Sequence, residues 1–227
     1  MWTELATIER FATLPQALLQ ELAQSGRIVN YKKGEPLFFE GDSCNALYLI
    51  VSGAVKVAKT LESGRELILD ILGPGDGVGE VALLDDLPFP AKAVAHADSK
   101  VFVLDAQRYF SLLEKHPVLP RSIIRDLASR LRSMNRRMKD VSGGNVEYRI
   151  AHLLLTLSAR VGQSENGALH VKMALSRQEI ADMVGTTVET TIRIMSRWLK
   201  DGVVETHSWG FLIHNLPRLE EIAETSL

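Results

Sequence analysis

The 227-residue chain carries 26 Lys and Arg against 28 Asp and Glu, with 46% hydrophobic and 24% charged residues. This is the balance of an ordinary globular protein long enough for more than one modest core, and a net charge of −2 argues on its own against a nucleic-acid binder. No apolar run approaches the roughly 18–20 residues of a membrane span. The opening MWTELATIERFA has acids where a secretory leader has a basic flank. Cys44, the single cysteine, excludes an internal disulfide framework and fits a reducing compartment. The expected location is the cytoplasm, with no membrane partner. Charge is unevenly spread: residues 1–116 sum to −5 and residues 117–227 to +3. An acidic front and a basic back suit a sensor joined to a phosphate-facing domain.

A helix is expected over Leu14–Ser25. From Ile28 to Leu104 the chain reads as short strands with glycine punctuation, among them Leu47–Lys59 and Glu66–Leu72, joined by a Ser63–Gly64 turn. Regular short strands of this kind predict a small antiparallel barrel or jelly roll. Residues 1–116 are therefore assigned to an effector-sensing β-barrel domain.

The next segment, 117–142, is expected to be a dimerisation helix. Ile124, Leu127, Leu131, Met134, Met138 and Val141 are spaced 3, 4, 3, 4, 3, a heptad seam flanked by arginines. One chain has a single such seam, so pairing with a second copy is the better reading than a helix lying on its own barrel. Gly143 and Gly144 should end the helix and form a hinge.

Residues 143–227 are expected to hold a helix at Val146–Val161, a helical pair, and a β-hairpin. The hairpin is read as Val203–Thr206, a His207–Gly210 turn and Phe211–His214. In the helical pair, Ser176 and Glu179 fit a capping box, and Ile180, Met183 and Val184 recur at helical spacing. Gly185 supplies the break, with Thr186 and Thr187 as caps for the second helix. In that second helix Ile192, Met195, Trp198 and Leu199 are expected to pack inward, leaving Val188, Glu189 and Arg193 outward. Glu189 and Arg193 are four apart and share a face. Glu accepts from cytosine N4 and Arg donates to guanine O6 and N7. The plainer alternative is a surface ion pair on a helical hairpin.

Barrel, long helix, glycine hinge and winged helix-turn-helix, in that order, resemble the Crp/Fnr family of bacterial transcription regulators. The resemblance rests on GD-SCNALYLIVSGAVKV, on GPGDGVGEVALLDD and on SRQEIADMVGTTVETTIRIM, and it covers nearly the whole chain. It implies an α+β fold with a cyclic-nucleotide-binding-like N-terminal barrel or jelly roll, a long dimerisation helix and a C-terminal winged helix-turn-helix. It also implies a homodimer that regulates transcription, with recognition helices entering major grooves about 34 Å apart on an inverted repeat. Val188, Glu189 and Arg193 would contact bases of a TGA-type half-site. Ser176, Arg177, Gln178 and Thr187 would contact phosphates, which position without specifying. The V-E-T run is closer to the Fnr branch, although Ile192 replaces that branch's serine. RNA polymerase would be a partner if the protein is an activator.

The resemblance places an effector pocket at Glu80, Val81, Ala82, Pro90 and Ala91, facing Met134 and Asn135 on the long helix. A cyclic-nucleotide cassette needs a Glu for the ribose and an Arg-Ser pair for the buried cyclic phosphate. Glu80 meets the first need, but Pro90 and Ala91 stand where the Arg-Ser pair belongs. Lys92 is the nearby substitute, as a point charge without the fork. Met134–Asn135 replaces the Thr-Ser pair that touches adenine. Cyclic AMP is therefore not the expected effector. An iron–sulfur cluster takes four thiolates, which Cys44 alone cannot supply. Haem stays open, since Met or a backbone group can ligate iron, and so does a redox role for Cys44. The six histidines show no metal-ligand spacing, no catalytic constellation is present, and residues 1–95 lack the histidines a metal-dependent barrel enzyme would need. Effector-gated regulation and constitutive DNA binding with a vestigial sensor both remain open, and the effector's identity is not legible.

Overall fold

The computed structural model describes residues 2–8, 11, 14–61, 66–125, 127–128, 131–132, 145–165 and 168–224. The chain forms two compact units, 1–129 and 130–227. Among the described residues no helix is long and apolar enough to cross a membrane.

The first unit begins with helices α1 (Trp2–Ala6) and α2 (Gln16–Ser25). Among the described residues eight strands follow: β1 (Arg27–Tyr31), β2 (Pro36–Phe38), β3 (Ala46–Ser52), β4 (Val55–Thr60), β5 (Glu66–Leu72), β6 (Gly77–Val78), β7 (Lys92–Ala95) and β8 (Ser99–Asp105). They form two four-stranded antiparallel sheets, in the orders β1-β8-β3-β6 and β2-β7-β4-β5. Helix α3 (Glu80–Leu84) interrupts the strands, and α4 (Ala106–Lys115) follows them, capped by the Asp105 carboxylate.

Strand alternation explains the unbroken apolar runs. In β3, Leu47, Leu49 and Val51 pack outward beneath the helices, whereas Ala46 and Ile50 point between the sheets. In β8, Phe102 and Leu104 face the helices, and Val101 and Val103 face inward. Strands buried on both faces lose the hydrophobic–polar alternation of a half-exposed sheet. The expected strand Leu47–Lys59 is two strands, because the chain turns the barrel corner at Gly53. Its φ is 88°, and a Cβ there would lie 2.3 Å from Ser99 Oγ.

After α4 the described residues 118–125, 127, 128, 131 and 132 are helical. Leu119 and Ile123 are buried in the cluster under α2 and α4, and Leu127 is half-buried against it. Ile124 and Leu131, seven residues apart, are 64% and 59% exposed. Of the expected seam residues, Leu127 thus leans on its own barrel, whereas Ile124 and Leu131 are each exposed. Met134, Asn135, Met138, Val141 and the Gly143–Gly144 hinge lie outside the described residues.

The second unit contains α5 (Val146–Val161), β9 (Gly162–Glu165), β10 (Ala168–Val171), α6 (Arg177–Val184), α7 (Val188–Lys200), β11 (Val204–His207), β12 (Gly210–Ile213) and α8 (Leu216–Glu224). The strands pair in the order β11-β12-β10-β9. The hairpin was expected one residue earlier in its first strand, with a longer turn; two residues, Ser208 and Trp209, make the connection. The β9–β10 hairpin carries polar residues such as Gln163, Ser164 and Glu165 and lacks the apolar alternation that announces a strand.

Candidate nucleic-acid interface

The helical pair is built as its caps dictate. Ser176 Oγ accepts from the Glu179 amide at 3.1 Å, and Glu179 Oε2 accepts from the Ser176 amide at 2.9 Å, closing the capping box that starts α6. Gly185 ends α6 in the left-handed region at φ 67°, where a side chain is disfavoured. Thr187 then caps α7 by accepting from the Thr190 amide at 3.3 Å. The carbonyl of Gly185 accepts from Arg149 Nη2 of α5 at 3.3 Å, tying the turn to the domain core.

In α7 the buried side chains are Thr191, Ile194, Met195 and Trp198. This corrects two inward assignments: Ile192 and Leu199 are 47% and 55% exposed. The inward stripe is set by Thr191 and Ile194, because a hydroxyl can bond within its own helix; Thr191 Oγ1 donates to the Thr187 carbonyl at 3.1 Å. Ile192, one residue further round, is thereby turned out.

Glu189 and Arg193 are both exposed, Val188 is half-buried, and among the described residues no ion pair joins Glu189 to Arg193. The Glu189 carboxyl is held below the usual range by its own backbone amide and by the Thr187 hydroxyl. It is thus an ionised acceptor one turn from a guanidinium, with both side chains open to solvent.

The residues expected to meet phosphates have assorted local duties. Ser176 and Thr187 spend their hydroxyls on helix caps. Gln178 Nε2 donates to Asp182 Oδ1 at 2.9 Å. Arg177 Nη2 donates to Thr206 Oγ1 at 2.9 Å, which links α6 to the first wing strand, and burial pulls its guanidinium below the usual range. At the wing turn Trp209 stacks between His207 and His170, with ring centroids 4.8 and 5.4 Å away. Neither the Thr206 bond nor this stack was anticipated; alternating polar and aromatic residues in the hairpin are the only trace the sequence carries.

In the first unit the expected pocket residues separate by face. Glu80, Ala82 and Ala91 are buried, whereas Val81 and Pro90 are exposed. Glu80 Oε1 accepts from the Tyr109 hydroxyl at 2.9 Å. Phe89, only 2% exposed, stacks on Phe38 with centroids 3.5 Å apart, and Tyr48 meets both rings at an angle. The backbone accommodates Phe89 because residue 79 is glycine: its φ is 75°, and a Cβ would fall 2.3 Å from the ring. Phe39, by contrast, is exposed. Lys92 does not stand in for the missing arginine. Its Nζ lies 2.7 Å from Glu66 Oε1, and Lys56 pairs with the other oxygen of the same carboxylate. Cys44 is half-buried with its thiol at 3.7 Å from the Gly79 carbonyl, and burial raises its pKa. Among the described residues no group of His, Cys, Asp and Glu is placed to hold a metal ion.

Two family models match the chain: a cyclic nucleotide-binding domain over residues 28–116 and a Crp-like helix-turn-helix domain over residues 148–222. The chain belongs to the Crp/Fnr family of transcription regulators. It is 31% identical to a CRP-like cAMP-activated global transcriptional regulator of Mycobacterium tuberculosis over 92% of this chain and 93% of that protein. It is also 31% identical to the transcriptional activator protein anr of Pseudomonas aeruginosa, over 89% and 81% of the two chains. Its fold is similar to that of FixK2 from Bradyrhizobium japonicum, with a TM-score of 0.75 at 24% identity, covering 89% of this chain and 99% of that one. This member of the family thus combines a helix-turn-helix domain with a cyclic nucleotide-binding-like domain in which Phe89 stacks on Phe38.

Proposed function

We propose that this DNA-binding regulator acts as a cytoplasmic homodimer that reads an inverted repeat with TGA-type half-sites. The observation that carries the reading is the outward presentation of Glu189 and Arg193 on a helix capped at its start and buried along its other face. Glu189 accepts from a cytosine amino group and Arg193 donates to a guanine, with Val188 beside them. Ser176, Arg177, Gln178 and Thr187 line the approach to the phosphates. The heptad spacing of Ile124 and Leu131 in the sequence and the exposure of each support pairing of two copies through a helix over 117–142, between a sensor at 1–116 and a DNA-binding domain at 143–227.

The gating effector is one other than cyclic AMP. The Phe38–Phe89 stack, the Pro90–Ala91 pair and the engagement of Lys92 with Glu66 support this, since a cyclic phosphate would meet no free cation among them. The similarity to a cAMP-activated regulator therefore extends to the fold and to DNA binding, not to the ligand. The same features favour a second reading, in which the protein binds DNA constitutively.

Selection of duplexes from a random library, with the full-length protein and no added ligand, tests the proposal. Enrichment of an inverted repeat supports the dimeric reader and favours constitutive binding. Enrichment of isolated half-sites overturns the dimer. A folded dimer that enriches nothing contradicts the constitutive reading and leaves the effector-gated one.

A further inference from the structure

The first unit has two separate apolar clusters, one between the sheets and one beneath the helices. The second of these is not fully packed. It holds a cavity of about 30 Å³ lined by Leu49 of β3, Leu104 of β8, Tyr109 and Leu112 of α4, and Ser122 and Ile123 of the helix that follows. Protein interiors contain few voids larger than a water molecule, so a gap of this size in a cluster of leucines is a distinct feature. Among the described residues the polar side chains on its wall are those of Tyr109 and Ser122, and both are engaged. The Tyr109 hydroxyl donates to Glu80 Oε1 at 2.9 Å, and Ser122 Oγ donates to the Leu119 carbonyl at 2.8 Å. There is room for about two waters, but a buried water needs two to four polar partners, and apolar cavities without them stay dry. Atoms that line a dry void lack dispersion contacts on one side, and an apolar guest restores them.

We infer that this cavity is a binding site for a small, uncharged, apolar molecule of about two or three heavy atoms. The guest touches the sheet, α4 and the helix 118–125 together, so its binding favours the arrangement in which that helix rests on the barrel. The site is separate from the space between the sheets, where Phe38 and Phe89 stack, and it does not depend on what α7 reads. For so few atoms the attainable dissociation constant is on the order of millimolar. Anions, nucleotides and metal ions are excluded, because the wall offers them no free polar partner among these side chains.

Xenon is the probe, since it is apolar, of matching size and without hydrogen-bonding capacity. Methyl NMR spectra of full-length protein are recorded under xenon and under helium at equal pressure, for wild type, Ser122→Met and Leu112→Ala. In wild type the methyls of Leu49, Leu104, Leu112 and Ile123 should shift saturably, while those of Ile50 and Val101 in the other cluster stay in place. Ser122→Met extends a flexible apolar side chain into the space and should abolish the shifts. Leu112→Ala enlarges the space and should admit benzene, seen as a higher melting temperature that wild type, too small inside, does not show. The inference is overturned if wild type shows no shifts, or shifts spread evenly over both clusters. Undiminished shifts in a folded Ser122→Met protein overturn it too, since xenon would then sit elsewhere. Should Ser122→Met fail to fold, Leu112→Ala decides: a melting temperature unmoved by benzene counts against the site, and a raised one upholds it.

Discussion

Trp198 Nε1 of the recognition helix donates to Glu147 Oε1 of α5 at 2.8 Å, and Arg197 pairs with the other oxygen of the same carboxylate. Trp198 is almost wholly buried, so its indole N–H has no access to water as an alternative acceptor. One carboxylate at the start of α5 thus fixes the far end of the helix whose beginning is fixed by Thr187. Glu147→Ala should lower stability to urea by about 1–3 kcal/mol, the cost of a buried donor left unmet. Glu147→Gln keeps an acceptor and should recover most of the loss. Equal stability of Glu147→Ala and wild type would contradict the pinning role.

Glu189 presents its charge over a wide pH range. Its pKa lies below the usual carboxylate value of 4.5, so the group is ionised above that value and gains a proton only as pH falls through the lowered one. Base preference at the pair it reads should therefore be flat between about pH 5.5 and 8, a range well above ordinary carboxylate titration. Glu189→Gln should lose part of that preference at every pH. A preference in wild type that titrates near neutrality would show that another group carries it.

Ile124 and Leu131, seven apart in the sequence and each exposed, predict a self-association surface. Asp at both positions places unpaired charges where two apolar rows would meet, which is strongly destabilising to an interface. Sedimentation should show wild type as a dimer and the double variant as a folded monomer with DNA affinity reduced at least about tenfold, a loss of 1.4 kcal/mol or more. A double variant that stays dimeric would place the interface elsewhere.

The Pro90–Ala91 pair and the engagement of Lys92 with Glu66 predict silence toward cyclic AMP. Calorimetric titration of full-length protein with the nucleotide at millimolar concentration should give no binding heat and leave the melting temperature unchanged. A saturable isotherm with a micromolar Kd would contradict the assignment, since stabilisation by a ligand at about 100 times its Kd amounts to roughly 2.7 kcal/mol.

Much of this architecture was legible because local signals and tertiary structure agree. The Ser176–Glu179 box, the Gly185 break and the Glu66–Leu72 strand fall where capping, turn and alternation rules put them. Signals failed where burial on two faces erased the period, as at Leu47–Lys59, and where polar strands carried none, as at Gly162–Glu165. The inward face of α7 was misread at Ile192 and Leu199 because apolar residues were assumed to seek the core. A threonine satisfied by its own helix took the inward position and left isoleucine outside. Partnerships between distant residues, such as Lys92 with Glu66 or Arg177 with Thr206, arise from strand and helix packing that no local window contains.

Binding of wild type and Arg193→Ala to two duplexes tests most directly whether Arg193 reads a base. One is the selected inverted repeat; the other has the G·C pair assigned to Arg193 changed to A·T in both half-sites. Wild type should prefer the first duplex by at least about tenfold, from a bidentate contact that contributes roughly 1–3 kcal/mol per pair. Arg193→Ala should bind the two alike, at the affinity of wild type for the altered site. An Arg193→Ala protein that keeps the wild-type preference would contradict the account.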